Sequence, residues 1–240
     1  MAHKSASMIV RWGLLGMVAL GVAGCVGKDR EPPAPAPDSA RAAASRPAPA
    51  DDRPTIVFAG TSLTAGYGLP DPSLAYPALI QHLVDSLGLD YRVVNAGVSG
   101  ETSAGLLRRI DWILGQGRVA ALVIETGAND GLRGQDPDSV RANIQAVIDS
   151  TRRLDPPPHV VLAGMEALPN LGADYTRRFR AIFPELARDN HLALVPFLLA
   201  GVAGVDSLNQ ADGIHPTPAG QRIVARNVWR VLEPVLTPTS

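Results

Sequence analysis

From Thr55 onward, short apolar runs alternate with amphipathic stretches, and this alternation constrains the fold more than any other feature of the chain. Ile56 to Ala59, Arg92 to Asn95, Val119 to Ile124, Val160 to Ala163 and Leu192 to Val195 read as strands. Tyr76 to Leu87, Ser103 to Leu114, Asp138 to Arg153, Asp174 to Asp189 and Thr217 to Leu236 carry apolar residues at helical spacing. Five successive strand–helix units predict an α/β fold: a five-stranded parallel sheet with helices on both faces, a three-layer α/β/α sandwich. Ile56 to Ala59 has no polar alternation, which is how a strand covered on both faces reads. Neither an internal repeat nor a linker divides this region, so residues 54–240 are expected to form one domain. The 46% hydrophobic content is enough to give it a core.

What precedes that domain reads as an address and a spacer. His3, Lys4 and Arg11 make a basic start, and Trp12 to Ala23 is an uncharged, mostly apolar run too short to span a bilayer comfortably. It ends in Val22-Ala23-Gly24-Cys25, small residues before the single cysteine of the chain, which resembles the bacterial lipobox. That resemblance implies a signal segment over 1–25 and lipidation of Cys25, with the acyl chains holding the protein on a membrane surface. Val26 fits delivery to the periplasmic face of an outer membrane. Residues 26–53, rich in Pro, Ala, Ser and Arg, have almost nothing to bury and read as a disordered tether.

A net charge of -1 with scattered Lys and Arg gives no basic stripe for nucleic acid. Five dispersed histidines and one cysteine assemble neither a zinc cluster nor a disulfide framework, so no metal or cofactor is expected.

In a parallel sheet the loops after the strands gather at one edge, where ligands bind. Ser62 lies just past the first strand, among Gly60, Gly66 and Gly68, which allow tight turns and close approach. It suits a nucleophile, and it equally suits a cap for the next turn. Asp212 and His215, three residues apart, can bring a carboxylate to an imidazole. Hydrolysis through serine needs that pair, the histidine to take the serine proton and the acid to hold its tautomer. With a reference pKa near 6.5, a histidine suits this at neutral pH. The other four histidines have no comparable acid at the strand edge, which leaves His215. Gly100 can offer a backbone N–H and Asn129 a side-chain amide to a developing oxyanion. Each is also an ordinary turn residue.

Four blocks carry a more specific resemblance: Gly60-Thr-Ser-Leu-Thr-Ala-Gly-Tyr-Gly-Leu69, Val94-Asn-Ala-Gly-Val-Ser-Gly-Glu-Thr-Ser103, Gly127-Ala-Asn-Asp-Gly-Leu-Arg-Gly134 and Asp212-Gly-Ile-His-Pro216. In this order they are similar to those of the GDSL or SGNH hydrolases, in particular the bacterial arylesterases, thioesterases and lysophospholipases. The resemblance implies a flavodoxin-like sheet, Ser62 as nucleophile, His215 as base, and Asp212 as the third triad member. It also implies an oxyanion hole made by Ser62, Gly100 and Asn129. Two residues depart from the pattern: Thr61 stands where aspartate is usual, and Ala128 where glycine is common. Loss of the aspartate is expected to loosen the serine loop at some cost in rate. Thr64 in place of a closing glycine argues against the Gly-x-Ser-x-Gly elbow.

The expected activity is hydrolysis of carboxylic esters of aryl, thio- or lysophospholipid type, on a small-molecule or lipid substrate. Met165, Leu168 and Leu171 could wall an acyl pocket or merely cover the sheet edge. Two rival readings are an O-deacetylase of sugars or cell-wall polymers on the same fold, and a non-catalytic binding lipoprotein.

Overall fold

The computed structural model describes residues 51–237. The expected signal segment with Cys25, and all of the tether but Asp51 to Arg53, lie outside the described residues.

Strand β1 (Thr55–Gly60) leads through a one-turn helix α1 (Ser62–Ala65) and a 3₁₀ turn (Pro72–Leu74) into α2 (Tyr76–Ser86). Then follow β2 (Arg92–Gly97), α3 (Ser103–Leu114), β3 (Val119–Glu125), a short α4 (Ala128–Leu132) and α5 (Pro137–Thr151). The chain closes with β4 (His159–Ala163), a 3₁₀ turn (Pro169–Leu171), α6 (Ala173–Asn190), β5 (Ala193–Val195), a 3₁₀ turn (Asp206–Leu208) and α7 (Pro218–Leu236). The five expected strands are present, each pairing parallel, in the order β2-β1-β3-β4-β5.

That order dictates where the helices go. The chain moves one way across the sheet from β1 to β2 and the other way from β2 to β3 and onward, so right-handed crossovers put α2 on one face and α3, α5 and α6 on the other. The packing agrees: α3 touches α5 and α5 touches α6, while α7 joins α2. Every residue of β1 is buried, and Phe58 meets Tyr76 edge-on at 5.5 Å. Strand β2, at the edge, is only half-buried, which is why its sequence is more polar.

The order reverses between β1 and β3, and a doubly wound sheet opens its ligand crevice at that point. Ser62 follows β1 and Asn129 follows β3, so both stand at the reversal. Because α7 packs on α2, the segment before α7 returns over the same crevice and brings His215 with it.

Candidate active site

Ser62 does not cap a helix. It is the first residue of α1, and the capping falls to Thr61, whose side chain accepts the Leu63 N–H. The serine hydroxyl therefore remains free for His215: Nε2 lies 2.9 Å from Ser62 Oγ. On the other side of the ring, Nδ1 lies 2.7 Å from Asp212 Oδ2. Asp212 Oδ1 accepts the N–H groups of Ile214 and His215, each at 3.1 Å, so the short turn that carries both residues also orients the carboxylate. Hydrogen bonding to His215 holds the Asp212 carboxyl down at about 2.

Gly100 and Asn129 face the same cleft as Ser62 and His215. Asn129 stands in the first turn of α4, where the sequence suggested a plain loop; Gly127, at φ 99°, turns the chain into that helix. One Asn129 amide hydrogen is held by the Glu101 carbonyl at 2.9 Å, which leaves the other for a ligand. The Gly100 carbonyl accepts from Arg133 at 3.0 Å, which ties down the peptide that follows Gly100. Asp130 anchors α4 from behind by accepting the Ser103 N–H and hydroxyl at 2.8 and 2.7 Å.

The loosening expected from Thr61 does not occur. Glu125, fully buried at the end of β3, accepts the Thr61 N–H at 2.8 Å, the Thr61 hydroxyl at 3.0 Å and the Thr64 hydroxyl at 2.8 Å. Thr64 in turn lies 2.7 Å from the Tyr76 hydroxyl. A carboxylate under the serine turn thus comes from the neighbouring strand rather than from position 61. Gly60 makes room for it, since a Cβ there would sit 2.0 Å from Thr64 Oγ1 and 2.7 Å from Glu125 Oε2. Burial pushes the Glu125 carboxyl up to about 7, against the pull of these hydrogen bonds. Sequence reading missed Glu125 because it ends an apolar strand and its partners are more than sixty residues away.

The cleft has a volume of about 690 Å³. Met165 and Leu168 line it, together with Leu132, Phe197, Leu199 and Ile214. Leu171 does not: it ends a 3₁₀ turn that carries its side chain toward Gly134, away from the cleft. Ala128, in place of the common glycine, joins the lining without filling the site.

A hydroxyl, an imidazole and a carboxylate in sequence, at the switch point of a doubly wound sheet, define the class of serine hydrolases. Within that class the chain belongs to the GDSL-like lipase/acylhydrolase family, whose model matches residues 58–223. It is 42% identical over 182 residues to the esterase TesA of Pseudomonas aeruginosa, covering 76% of this chain and 89% of that protein. It is 33% identical to the thioesterase 1/protease 1/lysophospholipase L1 of Escherichia coli K12, covering 76% and 85%. A crystal structure of TesA superposes with a TM-score of 0.71 at 41% identity, covering 75% of this chain and 99% of the other. The protein is an ester hydrolase of the SGNH type, with the five-stranded parallel sheet of that fold.

Proposed function

We propose that the protein hydrolyses carboxylic esters in two steps through an acyl-enzyme on Ser62. Ser62 Oγ attacks the acyl carbonyl carbon while His215 Nε2 takes the hydroxyl proton. Asp212 keeps the Nδ1 proton in place and stabilises the imidazolium. The Ser62 and Gly100 N–H groups and the Asn129 amide receive the oxyanion. Collapse breaks the bond to the alcohol or thiol, which leaves with the proton from His215. Water then loses a proton to His215 and attacks the acyl-enzyme; the acid departs and Ser62 recovers its hydrogen. The observation that carries this reading is the unbroken line from Ser62 Oγ to His215 Nε2 at 2.9 Å and from Nδ1 to Asp212 Oδ2 at 2.7 Å.

For the acyl side, Met165 and Leu168 with Phe197 and Leu199 favour chains of short to medium length, and the apolar lining disfavours a sugar. Aryl esters, thioesters and lysophospholipids are the substrate classes in view. One panel of p-nitrophenyl esters from acetyl to dodecanoyl tests both points. Wild type is expected to prefer a limited range of chain lengths, and Ser62→Ala to lose turnover by at least roughly 10³-fold. Wild-type rates in Ser62→Ala would end the mechanism, and a flat profile would remove the acyl wall.

The N-terminal segment supports attachment to a membrane through lipid on Cys25, with residues 26–53 as a tether and the outer membrane's periplasmic face as the site. Among the described residues, no helix is long and apolar enough to cross a membrane.

A further inference from the structure

Ser62 and His215 are 153 residues apart in sequence, yet proton transfer requires them to stay in hydrogen-bond contact. A side chain with no chemistry of its own spans the two segments. The Gln210 amide nitrogen donates one hydrogen to the Tyr67 carbonyl at 2.7 Å, on the serine segment. It donates the other to the Pro216 carbonyl at 3.1 Å, beside His215. The Gln210 backbone N–H donates to the His215 carbonyl at 2.7 Å. Both amide hydrogens are therefore used, one on each segment.

Two neighbours fit this arrangement. Gly68 has φ 72°, and a Cβ on it would lie 2.1 Å from Gln210 Oε1, so the amide occupies space that any other residue would fill. Tyr67, whose carbonyl the amide holds, sets its ring against the imidazole, with centroids 4.8 Å apart and planes inclined at 44°.

We propose that Gln210 is a positioning residue for the proton transfer: its amide clamps the nucleophile segment to the base segment and keeps the Tyr67 ring against His215. The proposal rests on the serine-hydrolase reading above. Asp212 orients the imidazole within its own turn, but nothing in that turn sets its distance from Ser62; the Gln210 amide does. A displacement of about 1 Å at a reacting pair costs on the order of 10²-fold in rate. Gln210 itself does not line the cleft, so its loss acts chiefly on kcat and reaches KM only slightly, through Tyr67, which does line it.

The test uses the full chain carrying Gln210→Met, which keeps length and removes both donors, and Gln210→Glu, which keeps shape and sets an oxygen against two carbonyls. Turnover of p-nitrophenyl butyrate and the rate of Ser62 modification by a fluorophosphonate are measured beside the unfolding midpoint. The expected result is a fall in kcat of roughly 10- to 100-fold in both variants, a parallel fall in the modification rate, and KM within about twofold of wild type. Wild-type kcat in both variants, a change confined to KM, or a loss explained by the unfolded fraction would each overturn the clamp. Ser62→Ala is assayed alongside. If it retains turnover, the hydrolase reading itself fails; if it is inactive while the Gln210 variants match wild type, the clamp alone fails.

Discussion

At the scale of single residues, the proposed mechanism turns on Asp212, whose carboxylate selects which nitrogen of His215 carries the proton. With its carboxylate on Nδ1, the proton sits there and Nε2 is left to accept from Ser62. Asp212→Asn keeps the size of the side chain and reverses that choice. The amide oxygen would still accept the N–H groups of Ile214 and His215, so its NH₂ would face Nδ1 and drive the proton to Nε2. Turnover is expected to drop by roughly 10²–10⁴-fold, far more than the small lowering of the unfolding midpoint explains, a pairing that steady-state kinetics and calorimetry read together. A carboxyl held at about 2 contributes stability that is present above its unfolded value and lost only as pH falls through about 2. Asp212 therefore stays ionised across any ordinary assay range, and an acidic limb in the rate profile does not come from it. Asp212 and His215 were legible in the sequence because three residues separate them. Gln210 was not, since its partner Tyr67 is 143 residues away.

At the scale of elements, the serine turn is held from below by β3. Glu125 reaches across from that strand to Thr61 and Thr64 on either side of Ser62. Its pKa gives the brace a pH dependence with a definite sign. Burial raises the carboxyl from an ordinary 4.5 to about 7 in the fold, so the folded protein keeps the proton longer than the unfolded chain does. Below 4.5 both states are protonated and nothing is lost; between 4.5 and about 7 stability falls, by about 3 kcal/mol in all. Glu125→Gln removes this slope. From pH 5 to 8 the wild-type unfolding midpoint is expected to drop further than that of the variant, by roughly 5 °C or more. Equal slopes in thermal scans would mean that Glu125 does not titrate in this window. Helices α1 and α4 belong to this scale as well. Each is a single turn, too short to show a periodicity, and each exists because its first residues are held by tertiary bonds: Thr61 by Glu125, and Asp130 by Ser103.

For the whole molecule, the proposed location makes a prediction separate from the chemistry. If Cys25 carries lipid, Cys25→Ser should move the protein from the membrane to the soluble fraction of cells expressing it. The kcat of the soluble form on p-nitrophenyl butyrate should be unchanged, because the triad and cleft lie within the described residues 51–237. Fractionation followed by esterase assay reads both, and a variant that stays in the membrane fraction would remove the anchor. Strand count, parallel sense and the strand-end blocks were all determined by the sequence alone, because hydrophobic period and glycine-rich punctuation act over a few residues at a time. Local pattern is also why Leu171 misled: apolar character and nearness in sequence to Met165 and Leu168 do not say which way a 3₁₀ turn will point it. Three things were decided only by tertiary structure: the contact of Ser62 with His215, the raised pKa of Glu125, and the Gln210 bridge. Each depends on groups from distant segments of the chain being brought together. The free energy of such a meeting comes from the packing of the sheet and its two helical layers, which no short stretch of the chain contains.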